Sequence, residues 1–205
     1  RLPPEVVSEA LEVFEFSNFF GEFLGGQEHA AGFGKLAWRE YTDALLSPQC
    51  CLFHSLHVAL VRMLFVDLPA SSEQPFLGRP LNALTWPELL RQYLRMVQIE
   101  QQHEGLEDLS DRMRMDEFCR ALETEVYEDI NVEVRLGILT LNIQLALDTQ
   151  AMRVHVDRLC ETAAAVQSEK RVECAGLMRE AKDVKAEAPD HAHRDGARDG
   201  DDDDG

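Results

Sequence analysis

Three side chains near the start of one apolar segment could together bind a metal ion. Cys50, His54 and His57 are spaced so that a thiol and two imidazoles could meet on one face of a helix. A structural zinc site needs a fourth ligand that closes the tetrahedron, and no convincing fourth ligand accompanies these three. We therefore expect a core thiol and hydrogen-bonded histidines here, and no metal.

His57 is the other residue with possible chemistry, because it stands among apolar neighbours. A catalytic histidine would need an acid or a nucleophile beside it, and the sequence identifies neither. We expect its ring nitrogens to bond a backbone carbonyl or a side chain of a neighbouring helix. The sequence also contains no phosphate-binding glycine loop, no GxSxG and no HExxH. We expect no enzyme activity and no cofactor.

The segment that must position these histidines runs from Leu52 to Val66. It reads LFHSLHVALVRMLFV, and its apolar residues cover almost every side of a helix. Such a helix is either buried in a core or spans a membrane. About 15 residues, with two histidines and an arginine among them, fall short of the roughly 20 that a span needs. The pattern predicts a buried central helix around which the other helices pack.

Two helices are predicted ahead of the central helix. The first begins at Pro3-Pro4-Glu5 and ends at Gly25-Gly26, and the second covers roughly Phe33 to Leu46. Residues 3–68 thus form a compact three-helix unit. Its first helix carries three glutamates that form either a solvated face or an acidic docking surface for a basic partner: Glu12, Glu15 and Glu22.

Further helices are predicted after a loop at residues 69–75. Thr85 and Glu88 have the spacing of a capping box, and the stripe Trp86, Leu89, Leu90, Tyr93 and Leu94 is expected to be buried. A polar loop is predicted from Gln98 to Asp111, followed by a helix from Met113 to Val126 with Val126 facing inward. Val132 to Leu147 is read as an apolar helix, and a new helix begins near Asp148 and Gln150.

The C-terminal part is increasingly polar. Residues 161–188 are predicted to form an exposed polar helix, and residues 189–205 an acidic, disordered tail. His191 and His193 with the terminal aspartates could bind a metal weakly, but we expect a solvated tail. No series of strands is evident, and the predicted class is all-α.

The net charge and the cysteines indicate which class of partner and which cellular compartment the sequence favours. The 205 residues carry a net charge of −18, whereas sequence-independent DNA binding depends on Lys and Arg. A basic protein partner is therefore favoured over DNA. Adjacent Cys50 and Cys51, beside the apolar helix, are expected to be core thiols, and five cysteines without a CxxC pair indicate a reducing, intracellular setting. We expect no membrane segment, and since the sequence opens on Arg1 we expect it to be part of a longer chain.

Two stretches carry a family resemblance. LEVFEFSNFFGEFL, from Leu11 to Leu24, and SLHVALVRML, from Ser55 to Leu64, resemble the DDT domain of chromatin-remodelling subunits. LTWPELLRQYL, from Leu84 to Leu94, resembles the segment that follows that domain, and Val134 to Arg158 is similar to the WHIM1 motif. The resemblance implies a DDT unit at 3–68 and a WHIM1-like helical region at 81–160. The residues that carry its core signature are Phe14, Phe20, Gly21, His57, Leu60 and Trp86.

The resemblance also implies a function. It suggests a non-catalytic scaffold in the nucleus that docks the basic C-terminal region of an ISWI-type ATPase and influences nucleosome positioning and transcription. Histones or linker DNA would be contacted indirectly. The expected docking surface comprises Glu12, Glu15 and Glu22 together with Trp86 and Tyr93. The alternative is a DNA- or linker-binding helical domain of a transcription regulator.

Overall fold

The computed structural model describes residues 2–25, 36–47, 51–69, 76, 78–104 and 109–187. These ranges contain helices and no strand, so the all-α prediction is confirmed for them. A short 3-10 helix, Pro4–Val6, leads into α1, and a second one, Tyr127–Asp129, precedes α6. The helices are α1 (Val7–Gly25), α2 (Trp38–Leu46), α3 (Cys51–Asp67), α4 (Trp86–Glu104), α5 (Leu109–Thr124), α6 (Val132–Leu147) and α7 (Gln150–Glu187).

The chain divides into two compact units, Arg1–Val154 and His155–Gly205. In the first unit, α3 packs against α1, α4 and α6, and α6 also packs against α1 and α5. Among the described helices none is by itself long and apolar enough to span a membrane. Only α2 and α3 taken together, across a bend of 93°, reach that length and apolar content.

The central helix forms as predicted. α3 buries Phe53, Leu56 and Leu60 together with His57, whereas Val66 near its end is 74% exposed. α6 has the predicted bounds, and the side chain of Asn131 caps it by accepting a hydrogen bond from the Glu133 N–H at 2.9 Å. The two apolar helices pack directly on each other and form the centre of the core.

Helices α5 and α6 approach each other closely at Gly137. A Cβ atom on this glycine would lie 2.6 Å from the Cζ atom of Phe118, which is itself buried. A larger residue would therefore have to displace a packed aromatic ring. This position needs glycine for space.

The predicted loop from Gln98 to Asp111 is wrong where the structure describes it. α4 continues to Glu104 and α5 begins at Leu109. The polar side chains here bond one another: Arg95 pairs with Asp116 at 2.7 Å, and Gln98 donates to the same carboxylate at 3.3 Å. Polar residues thus mark a helix–helix contact instead of a loop.

Two smaller predictions are also corrected. Val126 lies beyond the end of α5 and is 65% exposed, so it does not face inward. Cys51, expected as a core thiol, is exposed, whereas Cys119 is buried and burial raises the pKa of its thiol.

The capping box predicted at the start of α4 lies one turn earlier. The side-chain oxygen of Asn82 accepts from the N–H of Thr85 at 3.2 Å, and the hydroxyl of Thr85 accepts from the N–H of Asn82 at 3.0 Å. Glu88, the expected partner of Thr85, instead bonds the guanidinium of Arg91 at 2.7 and 2.8 Å. The pair at 82 and 85 has the reciprocal geometry of a capping box.

Several predictions fall on residues outside the described ranges. They concern Gly26, the start of the second helix at residues 33–35, Cys50, most of the loop at 69–75, and the tail at 189–205 with His191 and His193. At residues 36 and 37 the helical prediction is wrong, because the chain there is described and α2 begins only at Trp38. The predicted polar helix at 161–188 is described to Glu187, as the continuation of α7.

Candidate functional site

A polar and aromatic cluster fills the space between α3, α4, α6 and the 3-10 helix before α6. We call it the histidine cluster; its members are His54, His57, Trp86, Tyr127, Glu128 and Asn142. His57, Trp86 and Asn142 are fully buried, and Tyr127 is nearly so. Four different segments of the chain therefore meet at one hydrogen-bonded centre.

Both ring nitrogens of His57 have partners. The amide nitrogen of Asn142 lies 3.2 Å from Nδ1, and the hydroxyl of Tyr127 lies 2.9 Å from Nε2. If Asn142 donates to Nδ1, then Nε2 carries the ring proton and donates it to Tyr127. Burial, followed by the charge of neighbouring His54, holds the pKa of His57 well below its usual 6.5, so the ring is neutral at pH 7.

His57 also stacks on Trp86. The two ring centroids are 3.9 Å apart and the planes differ by 4°. The ring of Tyr127 meets the indole edge-on, with centroids 4.8 Å apart. The three rings pack against one another. The hydrogen bonds to Asn142 of α6 and to Tyr127 agree with the expectation that His57 bonds side chains of neighbouring segments.

His54 links the indole to an acid at the border of the cluster. The Nε1–H of Trp86 donates to Nδ1 of His54 at 3.0 Å, so that nitrogen must be the unprotonated one. The opposite nitrogen, Nε2, therefore carries the proton and donates to the carboxylate of Glu128 at 3.0 Å. This short chain of bonds fixes the tautomer of His54 and satisfies the buried indole.

The cluster has the properties of a structural centre. Both histidines use their ring nitrogens in hydrogen bonds, and among the described residues no group of three His, Cys, Asp or Glu side chains could hold a metal ion. The polar atoms of the cluster bond mainly to one another, which is how buried polar groups avoid the cost of desolvation. Among described side chains, four buried atoms have no such partner: Tyr41 Oη, Arg135 Nε, Thr140 Oγ1 and Asn142 Oδ1.

The structure buries one of the predicted partner-binding residues fully and another in part. Trp86 is fully buried in the histidine cluster, so its assignment to a docking surface is wrong, while its assignment to the core is confirmed. Tyr93 is half-buried, and burial raises the pKa of its hydroxyl to about 12. Tyr127, Glu128 and Asn142 were missed. Asn142 had a signal, because an amide in the apolar run from Val132 to Leu147 needs a buried partner.

The remaining signature residues lie in α1 and, for Leu60, in α3. Leu60 and Gly21 are buried, and Phe14 is half-buried against Trp38 and Tyr41 of α2, with ring centroids 5.2 and 5.4 Å away. Phe20 is also half-buried and packs between Phe16 and Phe19, with centroids 5.0 and 4.8 Å away. The aromatic residues of α1 thus serve the core on one side and approach the surface on the other.

An open groove lies along that outer side of α1. We call it the α1 groove; it has a volume of about 830 Å³. Its apolar lining is Leu11, Phe14, Phe16, Phe19, Phe20 and Leu147. Phe19 is 69% exposed, and Leu11 and Leu147 are each at least 40% exposed. Large apolar side chains gathered at an open surface are typical of a binding site.

Carboxylates border the α1 groove. Glu12 and Glu15 line it directly and are exposed, and Glu22 is exposed further along α1. Within the part of the chain that the structure describes, no ion pair neutralises these acids, whereas Glu9 pairs with Arg114 at 3.3 Å. Two of the three predicted glutamates therefore lie beside an open apolar surface of α1.

Comparison with known proteins identifies no relative. No family model matches the sequence, and no curated protein and no solved structure matches it either.

Proposed function

We propose that this chain is a non-catalytic interaction scaffold of a nuclear chromatin-remodelling complex. In this proposal the α1 groove docks a basic segment from the C-terminal region of an ISWI-type ATPase, and the bound scaffold influences nucleosome positioning and transcription. The single observation that carries the docking step is the apolar groove bordered by exposed glutamates. The identity of the ATPase and the nuclear setting come from the resemblance of the α1 and α3 sequences to the DDT domain.

The chemistry of the groove favours a segment with both apolar and basic side chains. Phe19 and Leu11 supply an exposed aromatic and an exposed aliphatic surface, which are the kinds of groups that anchor interfaces. Glu12 and Glu15 would attract Lys or Arg at the border of the contact, which directs the partner more than it adds affinity. An amphipathic helix with a basic face fits both requirements.

The histidine cluster supports this role without touching the partner. It joins α3 to α4 and α6, and α6 in turn packs on α1. Leu147, at the end of α6, forms part of the groove. The packing of the core therefore determines the positions of the residues that line the α1 groove.

The proposal is tested by measuring binding of the full chain to the isolated C-terminal region of an ISWI-type ATPase. Glu12→Lys with Glu15→Lys should weaken binding about tenfold or more at low salt. The matched control, Glu123→Lys with Glu125→Lys, makes the same charge change at exposed acids of and beside α5 and should leave binding nearly unchanged. Equal losses in both double variants would show that only overall charge matters, and no binding by the unaltered chain would reject the proposal.

The DNA-binding alternative predicts a different result. A DNA-binding domain would shift linker DNA in a gel and lose affinity steeply as salt rises, because it would displace counterions from phosphates. The net charge of −18 opposes such binding. Tight, salt-sensitive DNA binding by this chain would replace the scaffold proposal with the alternative.

A further inference from the structure

The second compact unit contains a helix whose exposed side carries an ordered apolar stripe. Between His155 and Asp183, α7 is almost wholly exposed. Eight residues spaced three or four apart lie along one side of it, and we call them the α7 seam: Val156, Leu159, Ala163, Val166, Lys170, Cys174, Leu177 and Ala181. Leu159, Val166 and Leu177 are 36%, 45% and 59% exposed.

The spacing of the α7 seam is that of a coiled coil. Steps of three and four residues repeat with an average near 3.5, the period at which two helices keep one side in contact. One extra step of four, at Val166, Lys170 and Cys174, is the kind of insertion that locally unwinds a coiled coil. The seam extends for about 40 Å at 1.5 Å per residue. Exposed apolar groups along that length favour a partner helix.

We propose that α7 pairs with α7 of a second copy of this chain as a parallel, two-stranded coiled coil. The inference does not depend on the α1 groove or on its partner. The residues on either side of the seam, its two flanks, favour a second copy of α7 as the partner and a parallel direction of pairing. Glu169, Glu173 and Glu180 each stand one residue before a seam residue and so lie on one flank.

The opposite flank has one acid and two bases. The positions one residue after the eight seam residues hold Asp157, Cys160, Ala164, Gln167, Arg171, Ala175, Met178 and Lys182, so no acid lies on this flank beyond Asp157. Parallel pairing brings unlike flanks together, so each acidic flank meets one that is mainly neutral or basic. Antiparallel pairing would bring the two acidic flanks together, which like-charge repulsion opposes.

Lys170 fits the same arrangement. A single lysine within an apolar seam is a known device for fixing the register and the number of strands. In a parallel pair its ammonium can reach Glu169 of the second copy, which stands on the facing flank. Two copies of the seam are therefore complementary to each other when the helices run parallel.

The first test is the mass of the full chain in solution, measured by sedimentation equilibrium over a range of concentrations. A monomer–dimer equilibrium is expected. Val166→Glu places an unpaired carboxylate in the seam and should raise the dimer dissociation constant about tenfold or more. The matched control is Val172→Glu, because Val172 is 71% exposed and lies on the opposite side of α7. A chain that is monomeric throughout, or two variants with the same effect, would overturn the proposal.

The second test decides the direction of pairing. In a parallel, in-register pair Cys174 faces Cys174 of the second copy, at a separation that a disulfide can bridge. Diamide, which accepts two electrons and two protons from a pair of thiols, should therefore produce a covalent dimer. Cys174→Ser should abolish that dimer, while Cys51→Ser, which removes another exposed thiol, should retain it. A covalent dimer that survives Cys174→Ser, or none at all, would reject the parallel arrangement.

Discussion

Proteins usually bury apolar side chains and expose polar ones, and the histidine cluster and the α1 groove both do the opposite. The cluster places two imidazoles, an indole, a phenol and an amide in the interior, whereas the groove leaves a phenylalanine and two leucines at the surface. The buried polar groups bond one another between α3, α4 and α6. The exposed apolar groups of the groove keep much of their surface in contact with water. The groups of the histidine cluster fix the fold, whereas those of the α1 groove are available to a partner.

The two regions also differ in how they contribute energy. Hydrogen bonds in the cluster contribute about 1 kcal/mol each, but leaving one buried partner unpaired costs about 1 to 3 kcal/mol. The exposed residues of the groove gain little on folding, because most of their surface still faces water. Substitutions should therefore affect stability strongly in the cluster and weakly in the groove.

The largest effect is expected for Trp86→Ala. The change removes a fully buried indole, its stack on His57 and the hydrogen bond to His54, so the free energy of unfolding should fall by about 3 to 5 kcal/mol. Urea unfolding followed by circular dichroism measures the loss. Trp86→Phe keeps an aromatic ring but removes the pyrrole part of the buried indole with its N–H, so it should cost less than Trp86→Ala. A loss below about 1 kcal/mol for Trp86→Ala would show that the histidine cluster contributes little to the stability of the fold.

The next effect depends on pH and on His57. Because burial lowers its pKa below 6.5, the folded chain excludes a proton that the unfolded chain binds at lower pH. The stability contributed by neutral His57 is complete above pH 6.5 and should fall by up to about 1.4 kcal/mol per pH unit below it. Urea unfolding at about pH 7.5 and about pH 5.5 measures this for the unaltered chain and for His57→Gln, which should lose less on acidification. Parallel losses in the two proteins would contradict the neutral state of His57.

The sequence predicted the helices well where a long run of residues was almost wholly apolar. The bounds of α6 and the burial of α3 were correct, because an apolar run with few polar residues has one stable environment. The loop prediction was wrong at residues 98–104 and 109–111, which are helical. Gln98 and Asp116 lie 18 residues apart, and only the fold shows that they bond. Polarity alone does not distinguish an open loop from a polar helix contact.

The candidate sites were less predictable for a similar reason. Tryptophan is a residue type that is common in interfaces, so Trp86 was a reasonable candidate for one. In the fold its indole N–H bonds His54, which lies 32 residues earlier in the chain. The glutamates of α1 were identified as a possible surface, but the groove beside them also needs Leu147 from α6. Sites assembled from distant segments cannot be read from local spacing.

The smallest effect on stability is expected for Phe19→Ala, and it completes the comparison with Trp86→Ala. Phe19 is 69% exposed, so removing its ring should change the free energy of unfolding by no more than about 0.5 kcal/mol. Binding of the ATPase segment should nevertheless weaken, because an exposed aromatic ring in an apolar groove becomes buried only when a partner covers it. Calorimetric titration and urea unfolding of the same protein preparation measure the two quantities side by side. A stability loss near that of Trp86→Ala would instead make Phe19 part of the core, and unchanged stability with unchanged binding would place the docking surface outside the α1 groove.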